Sequence, residues 1–259
     1  MRFTILGSGS AGGVPLYGCQ CDACRRAALL REYRRHSTCA LVETAETHLL
    51  IDAGLPDLGD RFPAGRLDAV LLTHYHMDHV QGLFRIRWGT GPKLPVLGPE
   101  DALGCDDLFR HPGMLDFSQK TQPFETFTLG ELSIIPLPLN HSRPTLGYQL
   151  EHQGARVAYL TDTCGLPPAT LQWLQGNRPD LLVLDCSFAP CAETPRNHND
   201  LTRALAICDQ VGANHSLLTH IDHRLDDWLL QNPGFRLPQG VGLASDMQQV
   251  ELVAQRRVA

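Results

Sequence analysis

Thr73-His74-Tyr75-His76-Met77-Asp78-His79 carries four metal-capable side chains within six residues, directly after the apolar run Ala69-Val70-Leu71-Leu72. Such a run reads as a buried strand, and the motif as the turn into which that strand opens. Imidazole and carboxylate together suit zinc, manganese or iron. His74 and His76, two apart in an extended turn, are expected to point the same way. Asp78 and His79 open the next element and reach toward a second ion. The competing reading is a polar loop of satisfied histidines. It weakens because the chain supplies more ligands in the same manner.

Ile134-Ile135-Pro136-Leu137-Pro138-Leu139 leads at once into Asn140-His141-Ser142, and Val157-Ala158-Tyr159-Leu160 into Thr161-Asp162-Thr163. Leu181-Leu182-Val183-Leu184 leads into Asp185-Cys186-Ser187, and Ser216-Leu217-Leu218 into Thr219-His220. Apolar strands that each end on a metal-capable residue predict a site built at one edge of a sheet core, where function collects. A hairpin over 41–43 and 48–51 ends at Asp52-Ala53-Gly54, whose aspartate either caps a turn or orients a ligand from behind. The expected first ligand set is His74, His76 and His141, and the second is Asp78, His79 and His220, with Asp162 bridging both. Two divalent ions about 3.5 to 4 Å apart can activate a water and stabilise the oxygens of an in-line displacement at phosphorus. A departing alkoxide needs a proton. His198, in Arg196-Asn197-His198-Asn199-Asp200, is the candidate donor because imidazole titrates near neutral pH. A histidine at a helix start with no chemistry is the alternative, and Asp200 reads as an N-cap. His198 and Asp78 are the residues assigned to catalysis.

The first strand, over 2–6, runs into Gly7-Ser8-Gly9-Ser10-Ala11-Gly12-Gly13, which formally satisfies G-x-G-x-x-G. A dinucleotide fold needs a helix beginning inside that loop, and Val14-Pro15-Leu16-Tyr17-Gly18 would break one. The glycines are therefore read as a tight loop beside the metal centre. Cys19-Gln20-Cys21-Asp22-Ala23-Cys24 follows, then a basic helical stretch over 25–35. Three thiolates this close hold a structural zinc once a fourth ligand arrives. His223, in Thr219-His220-Ile221-Asp222-His223, is preferred because the two histidines can serve different ions; Cys39, His36 and His111 are the alternatives. Further helices are expected over 81–88, 101–109, 168–174, 201–211 and 226–230. Strands are expected over 94–98 and 249–253, with a basic end after the last.

At 259 residues, 43% hydrophobic, the chain can bury a sizeable core, and no linker divides it, so one α/β domain over 1–259 is expected. The net charge of −6 argues against a nucleic-acid partner, since phosphate binding leaves a basic footprint. No signal-peptide core follows Met1, and no run approaches the roughly 18 apolar residues of a membrane span. A cytoplasmic protein without a membrane partner is expected, with its nine cysteines reduced and available to metal. The residues alone reach a dinuclear metallohydrolase with a structural zinc.

The central motif, with Asp52-Ala53-Gly54, His141, Asp162 and His220, resembles the metallo-β-lactamase superfamily, in the branch that contains the tRNA 3′-processing endonucleases. Within it the sequence is similar to the phosphoribosyl cyclic phosphate phosphodiesterases of the carbon-phosphorus lyase pathway of phosphonate breakdown. The likeness runs over nearly the whole chain. Its distinctive blocks are Cys19 through Cys24, Thr73 through Leu83, Cys105-Asp106-Asp107-Leu108-Phe109-Arg110-His111-Pro112-Gly113, Leu137 through Ser142, and Pro195-Arg196-Asn197-His198. It is weakest around Arg143-Pro144-Thr145-Leu146-Gly147-Tyr148. The resemblance implies an αββα sandwich, a dinuclear site between the sheet edges with manganese favoured over zinc or iron, and a separate zinc on Cys19, Cys21, Cys24 and His223. It implies hydrolysis of 5-phosphoribosyl 1,2-cyclic phosphate to ribose 1,5-bisphosphate by a homodimer, with His198 handling substrate or protonating the leaving group. The tRNA endonucleases are the main rival; they hold tRNA with a protruding arm between the ligands equivalent to His141 and Asp162, and only twenty residues separate that pair here. A thioester hydrolase of the glyoxalase type would add a helical C-terminal domain, and a redox diiron protein would carry glutamate at His76. A catalytically silent metal-binding protein would have lost ligands, and every expected position is filled.

Overall fold

The computed structural model of the chain describes residues 1–193 and 195–253. The basic end expected after the last strand lies outside the described residues. Two seven-stranded sheets stack face to face. The first contains β1 (Arg2–Gly7), β2 (Cys39–Glu43), β3 (His48–Ile51), β4 (Ala69–Leu71), β5 (Leu94–Leu97) and β6 (Leu115–Asp116). The second contains β7 (Phe127–Leu129), β8 (Leu132–Pro138), β9 (Leu146–His152), β10 (Ala155–Leu160), β11 (Leu181–Asp185), β12 (His215–Thr219) and β13 (Val241–Leu243). The last strand, β14 (Gln248–Glu251), returns to pair with β1 at the edge of the first sheet. Strands β3 to β6 are mutually parallel, as are β10 to β13, and antiparallel pairs complete both sheets.

The apolar runs follow from that arrangement, because a strand covered on both faces has no reason to alternate with polar residues. Leu49 and Ile51 of β3 face the core shared by the two sheets, together with Val157 and Tyr159 of β10 and Leu181 and Val183 of β11. Leu50 faces outward, under Leu58, Val80, Leu83 and Leu108, which belong to α2 (Leu58–Arg61), α3 (Met77–Val80), α4 (Leu83–Ile86) and α5 (Asp106–Arg110). On the other side, Ala158, Leu160, Leu182 and Leu184 meet Leu174, Ala204, Ile207 and Leu225. These helical residues come from α6 (Pro168–Gly176), α7 (Leu201–Val211) and α8 (His223–Gln231). The result is the αββα sandwich, with each fully buried Leu or Ile contributing about 1.5 to 3 kcal/mol. Among the described residues, no helix is long and apolar enough to cross a membrane.

Several boundaries differ from the sequence reading, each for a local reason. The helix expected over 25–35 is instead α1 (Asp22–Leu29), which starts earlier because the Cys21 thiolate position caps it by accepting from Cys24 N. It ends at Leu30, whose backbone is extended, and a separate 3-10 turn over Arg31–Tyr33 follows before Arg35 pairs with Asp226. The helix expected over 101–109 begins only at Asp106, since Asp101 accepts from the amides of Leu103 and Gly104 and so closes a turn. Strand β9 has no matching expectation. Its second residue, Gly147, interrupts the apolar pattern because a Cβ there would lie 2.6 Å from Leu160 and 2.8 Å from the Tyr159 carbonyl.

Arg35 ties the first sheet to the second. Its Nε donates to Asp226 Oδ2 at 2.7 Å and its Nη2 to Oδ1 at 3.0 Å, while Nη1 reaches Ser8 Oγ at 3.0 Å and the Ala244 carbonyl. Both side chains of the pair are nearly buried, at 11% and 6% exposure, so removing one partner leaves a charge without compensation. Arg35→Ala should destabilise the chain by about 3 to 5 kcal/mol in denaturant unfolding. A loss below about 1 kcal/mol, the range of an exposed pair, would mean that the pair is dispensable.

Candidate metal centre

Parallel strands bring their carboxyl ends to one edge, and a crevice outside those ends is where open α/β sheets bind ligands. Asp52 follows β3, the Thr73 to His79 motif follows β4, Asp162 follows β10, Asp185 ends β11 and His220 follows β12. Strand β8 is antiparallel to β9, which is antiparallel to β10, so β8 delivers His141 to that same edge. In the first sheet, the motif loop is pinned to β9 of the second by Tyr148 Oη donating to the Leu72 carbonyl at 2.7 Å and Leu146 N donating to the Thr73 carbonyl at 3.0 Å. Gly54 is required at the back of the loop, where a Cβ would lie 2.3 Å from the Asp78 carbonyl and 2.4 Å from that of Thr38.

All seven expected ligands converge. One ligand atom each from His74, His76, His141 and Asp162 lies within 4.8 Å of the others, and so do those of Asp78, His79, Asp162 and His220. Asp162 belongs to both sets. His74 Nε2 and His141 Nε2 lie 2.9 and 3.0 Å from His76 Nδ1, and Asp162 Oδ2 lies 3.7 and 3.8 Å from those two Nε2 atoms. In the second set, His79 Nε2 is 3.3 Å from Asp162 Oδ2 and 3.5 Å from Asp78 Oδ2. His220 Nε2 is 3.4 Å from Asp162 Oδ1 and 3.5 Å from Asp78 Oδ2. Ligands at about 2.0 to 2.2 Å from one ion stand roughly 3 to 3.6 Å from each other.

The outer nitrogens explain why these are ligand edges. His79 Nδ1 donates to Asp52 Oδ2 at 2.8 Å, and His141 Nδ1 donates to the Asn197 carbonyl at 3.1 Å. Thr73 Oγ1 donates to Asp52 and so accepts from His74 Nδ1 at 3.0 Å. Ser187 Oγ donates to Asp185 Oδ1 at 3.1 Å and accepts from His220 Nδ1 at 2.8 Å. Each of these four rings therefore turns Nε2 inward, the arrangement by which outer partners fix the tautomer of a metal-binding histidine. His79 Nε2 is buried and has no hydrogen-bond partner. A buried ring nitrogen in that state is open to a cation, so the residues fit the metal pair that the sequence predicts.

Electrostatics agree with the geometry. Burial opposes the imidazolium of His79, yet Asp162, Asp52 and Asp78 together outweigh it and raise its pKa well above the ordinary value. His220 is raised to about 9, burial being overcome by Asp162 and Asp78. Burial also works to raise Asp78 and Asp162, but the same histidines hold both below the usual carboxylate range. His74, His76 and His141 are depressed, first by burial, and so present neutral lone pairs. The carboxylate-rich half thus calls for positive charge, which divalent ions supply.

His198 stands beside this cluster. Its ring stacks on His220 with centroids 4.6 Å apart at 14°, and its Nδ1 donates to Asp185 Oδ2 at 2.8 Å. Asp200 caps α7 through the amide of Arg203, the plain role expected for it. Asp185, which has no assigned role in the sequence reading, lies beside the cluster and ends a strand in the same way as the ligand-bearing segments do.

A second cluster joins Cys19, Cys21, Cys24 and His223, whose ligand atoms also lie within 4.8 Å of one another. His223 Nδ1 is 3.5 Å from both Cys19 Sγ and Cys21 Sγ, close to the roughly 3.6 Å edge of a tetrahedron with zinc–sulfur bonds of about 2.3 Å. The helix expected over 226–230 begins at His223, which places that ring on the first turn of α8, facing α1. The alternatives are engaged elsewhere. Cys39 Sγ donates to the Asp52 carbonyl, His36 Nδ1 pairs with Asp246, and His111 terminates α5. All nine cysteines are free. Arg143 is likewise committed, to Asp101, the Tyr75 carbonyl and the Gly104 carbonyl.

Residues 47–221 match the Beta-lactamase superfamily domain, a span that includes every residue of the dinuclear cluster and excludes the cysteine loop and His223. Over 241 residues the chain is 34% identical to an octanoyltransferase of Porphyromonas gingivalis, covering 86% of this chain and 46% of that protein. Over 123 residues it is 33% identical to a ribonuclease Z of Methanopyrus kandleri, covering 43% of this chain and 42% of that protein. It therefore spans under half the length of these two curated relatives. A solved diphosphatase of the PhnP family superposes with a TM-score of 0.82 at 27% identity, covering 98% of this chain and 99% of that one. With its ligand clusters at the sheet edges and this match over most of its length, the chain belongs to the β-lactamase superfamily.

Proposed function

We propose that the chain is a dinuclear phosphodiesterase that hydrolyses 5-phosphoribosyl 1,2-cyclic phosphate to ribose 1,5-bisphosphate. The observation that carries this reading is one carboxylate, Asp162, shared by two ligand sets, with a further histidine stacked against the second set. His74, His76, His141 and Asp162 would hold one ion, and Asp78, His79, Asp162 and His220 the other. When bound, such a pair polarises the phosphoryl oxygens and lowers the pKa of water, with manganese favoured by the family likeness and zinc or iron as alternatives. The chain's own residues supply the rest. Asp185 accepts from Nδ1 of His198, so the transferable proton of the imidazolium sits at Nε2. Water oxygen bonds to phosphorus as the bond from phosphorus to the sugar oxygen breaks. The sugar oxygen takes the His198 proton, and the surplus proton of water passes to solvent.

A small phosphorylated sugar suits the crevice better than tRNA does. The twenty residues between His141 and Asp162 consist of β9, β10 and short turns, which leaves no protruding arm to hold a nucleic acid. The likeness to a diphosphatase favours a second reading, in which the scissile bond is the anhydride of a small diphosphate. The family likeness also proposes a cytoplasmic homodimer, and a structural zinc on Cys19, Cys21, Cys24 and His223 of a single folded unit spanning 1–259.

Metal-loaded protein should turn over ribose cyclic phosphate faster than a small diphosphate or precursor tRNA. The ranking of the three rates selects among the readings, and absence of all three rejects hydrolysis at phosphorus. His198→Ala should lower kcat on the cyclic phosphate by about 10² to 10⁴-fold with metal content unchanged in native mass spectrometry; equal rates would remove the acid role. Cys24→Ser should release one zinc per chain and lower the thermal midpoint by roughly 5 to 10 °C, at about 2 to 4 °C per kcal/mol for a chain of this size. Retention of that zinc would move the structural site elsewhere.

A further inference from the structure

We propose that Asp185 is a positioning residue shared between the proton donor and a metal ligand, with one carboxylate oxygen aligning His198 and the other, through Ser187, aligning His220. Asp185 is fully buried at the end of β11. Its Oδ2 accepts from His198 Nδ1 at 2.8 Å and from Thr163 N at 2.9 Å. Its Oδ1 accepts from Ser187 Oγ at 3.1 Å, and that hydroxyl accepts from His220 Nδ1 at 2.8 Å. The two imidazoles are thus tied at the same corner to one anion, directly in one case and through a hydroxyl in the other.

Because the rings are stacked at 14°, a common anchor at Nδ1 turns both Nε2 atoms toward the same side. That side is the metal centre, where His220 Nε2 faces Asp162 and Asp78. The backbone is locked as well. Asn199 Nδ2 donates to the Asp185 carbonyl at 3.0 Å, its Oδ1 accepts from Gly165 N at 2.8 Å, and Ser187 N donates to the Asn199 carbonyl at 3.0 Å. The loop bearing His198 is consequently fastened to the strand end that bears Asp185. An imidazole held by a buried carboxylate has a fixed tautomer and a fixed direction for its second nitrogen.

The rate arm of the test rests on the phosphodiesterase reading, and a spectroscopic arm does not. Protonation of the leaving group matters for a sugar alkoxide and little for a nitrophenolate. Asp185→Asn should lower kcat on the cyclic ribose phosphate by about 100-fold, with a loss at least about tenfold smaller on a bis(nitrophenyl) phosphate. At saturating metal, which offsets any loss through the His220 arm, adding Asp185→Asn to His198→Ala should slow the sugar reaction no further, since residues acting as one unit are not additive. Ser187→Ala should weaken metal affinity by about 10 to 100-fold while keeping the wild-type ratio of the two substrates. Equal losses on both substrates, multiplicative double-variant losses, or a Ser187→Ala ratio matching Asp185→Asn would overturn the assignment. In nitrogen-15 histidine spectra of zinc-loaded protein, His198 should be protonated at Nδ1 and lose that preference in Asp185→Asn; identical spectra would reject the role. Should wild type hydrolyse neither ester, the phosphodiesterase reading fails and these spectra still decide the role of Asp185.

Discussion

Two buried carboxylates, Asp52 and Asp162, and the half-buried Asp78 face five imidazoles at the edge of a closely packed sandwich, and that concentration of charge is the constraint on which the rest depends. Isolated carboxylates in so dry a place would be costly by several kcal/mol each. The fold answers in two ways. Protons on His79 and His220 offset charge within the protein, as their raised pKa values register. Divalent cations held at the inward-facing Nε2 atoms in place of those protons would do the same more completely.

The geometry needed for this comes from the backbone of the two sheets more than from the loops. Six ligand-bearing or ligand-orienting segments leave strand ends that lie at one edge because the strands run in the same direction. Outer partners then remove the remaining freedom. Asp52 serves both His79 and, through Thr73, His74; Ser187 serves His220; a main-chain carbonyl serves His141. Asp52 itself adopts a left-handed backbone conformation, φ 59°, as does His220 at the same value. Non-glycine residues tolerate that region at an energetic cost, and it persists where surrounding contacts fix the residue.

Much of this was legible before any coordinates. A strand buried on both faces writes itself as an unbroken apolar run, so the ends of β4, β8, β10, β11 and β12 could be read directly, along with the ligands that follow them. Strand β9 was illegible because Gly147 replaces an apolar side chain where two strands approach too closely for a Cβ. Helix limits were set by local and tertiary contacts that propensity does not report, such as the extended Leu30 that stops α1 and Arg143 holding Asp101 outside α5. Asp185 showed the right position and no spacing signal. Its role depends on Ser187 and His198, which reach it only after β11 and the following loop have packed.

The segment Thr219-His220-Ile221-Asp222-His223 joins the two candidate metal sites. His220 leaves β12 toward the dinuclear cluster, Ile221 is buried and bridges to Gly9 of the glycine loop, and Asp222 caps α8 so that His223 turns back toward the cysteines. A three-residue spacing across a strand-to-helix junction therefore sends two imidazoles to different clusters. The cysteine loop then has a structural purpose that its distance in sequence conceals. By fastening α1 to the first turn of α8, and with Arg35 bonding Asp226 one turn later, it fixes the direction in which β12 hands over to that helix. The glycine loop gains its meaning from the same contact. Ser10 N donates to the Ile221 carbonyl and Ile221 N to the Ser8 carbonyl, so the loop clamps the residue next to His220 instead of cradling a nucleotide.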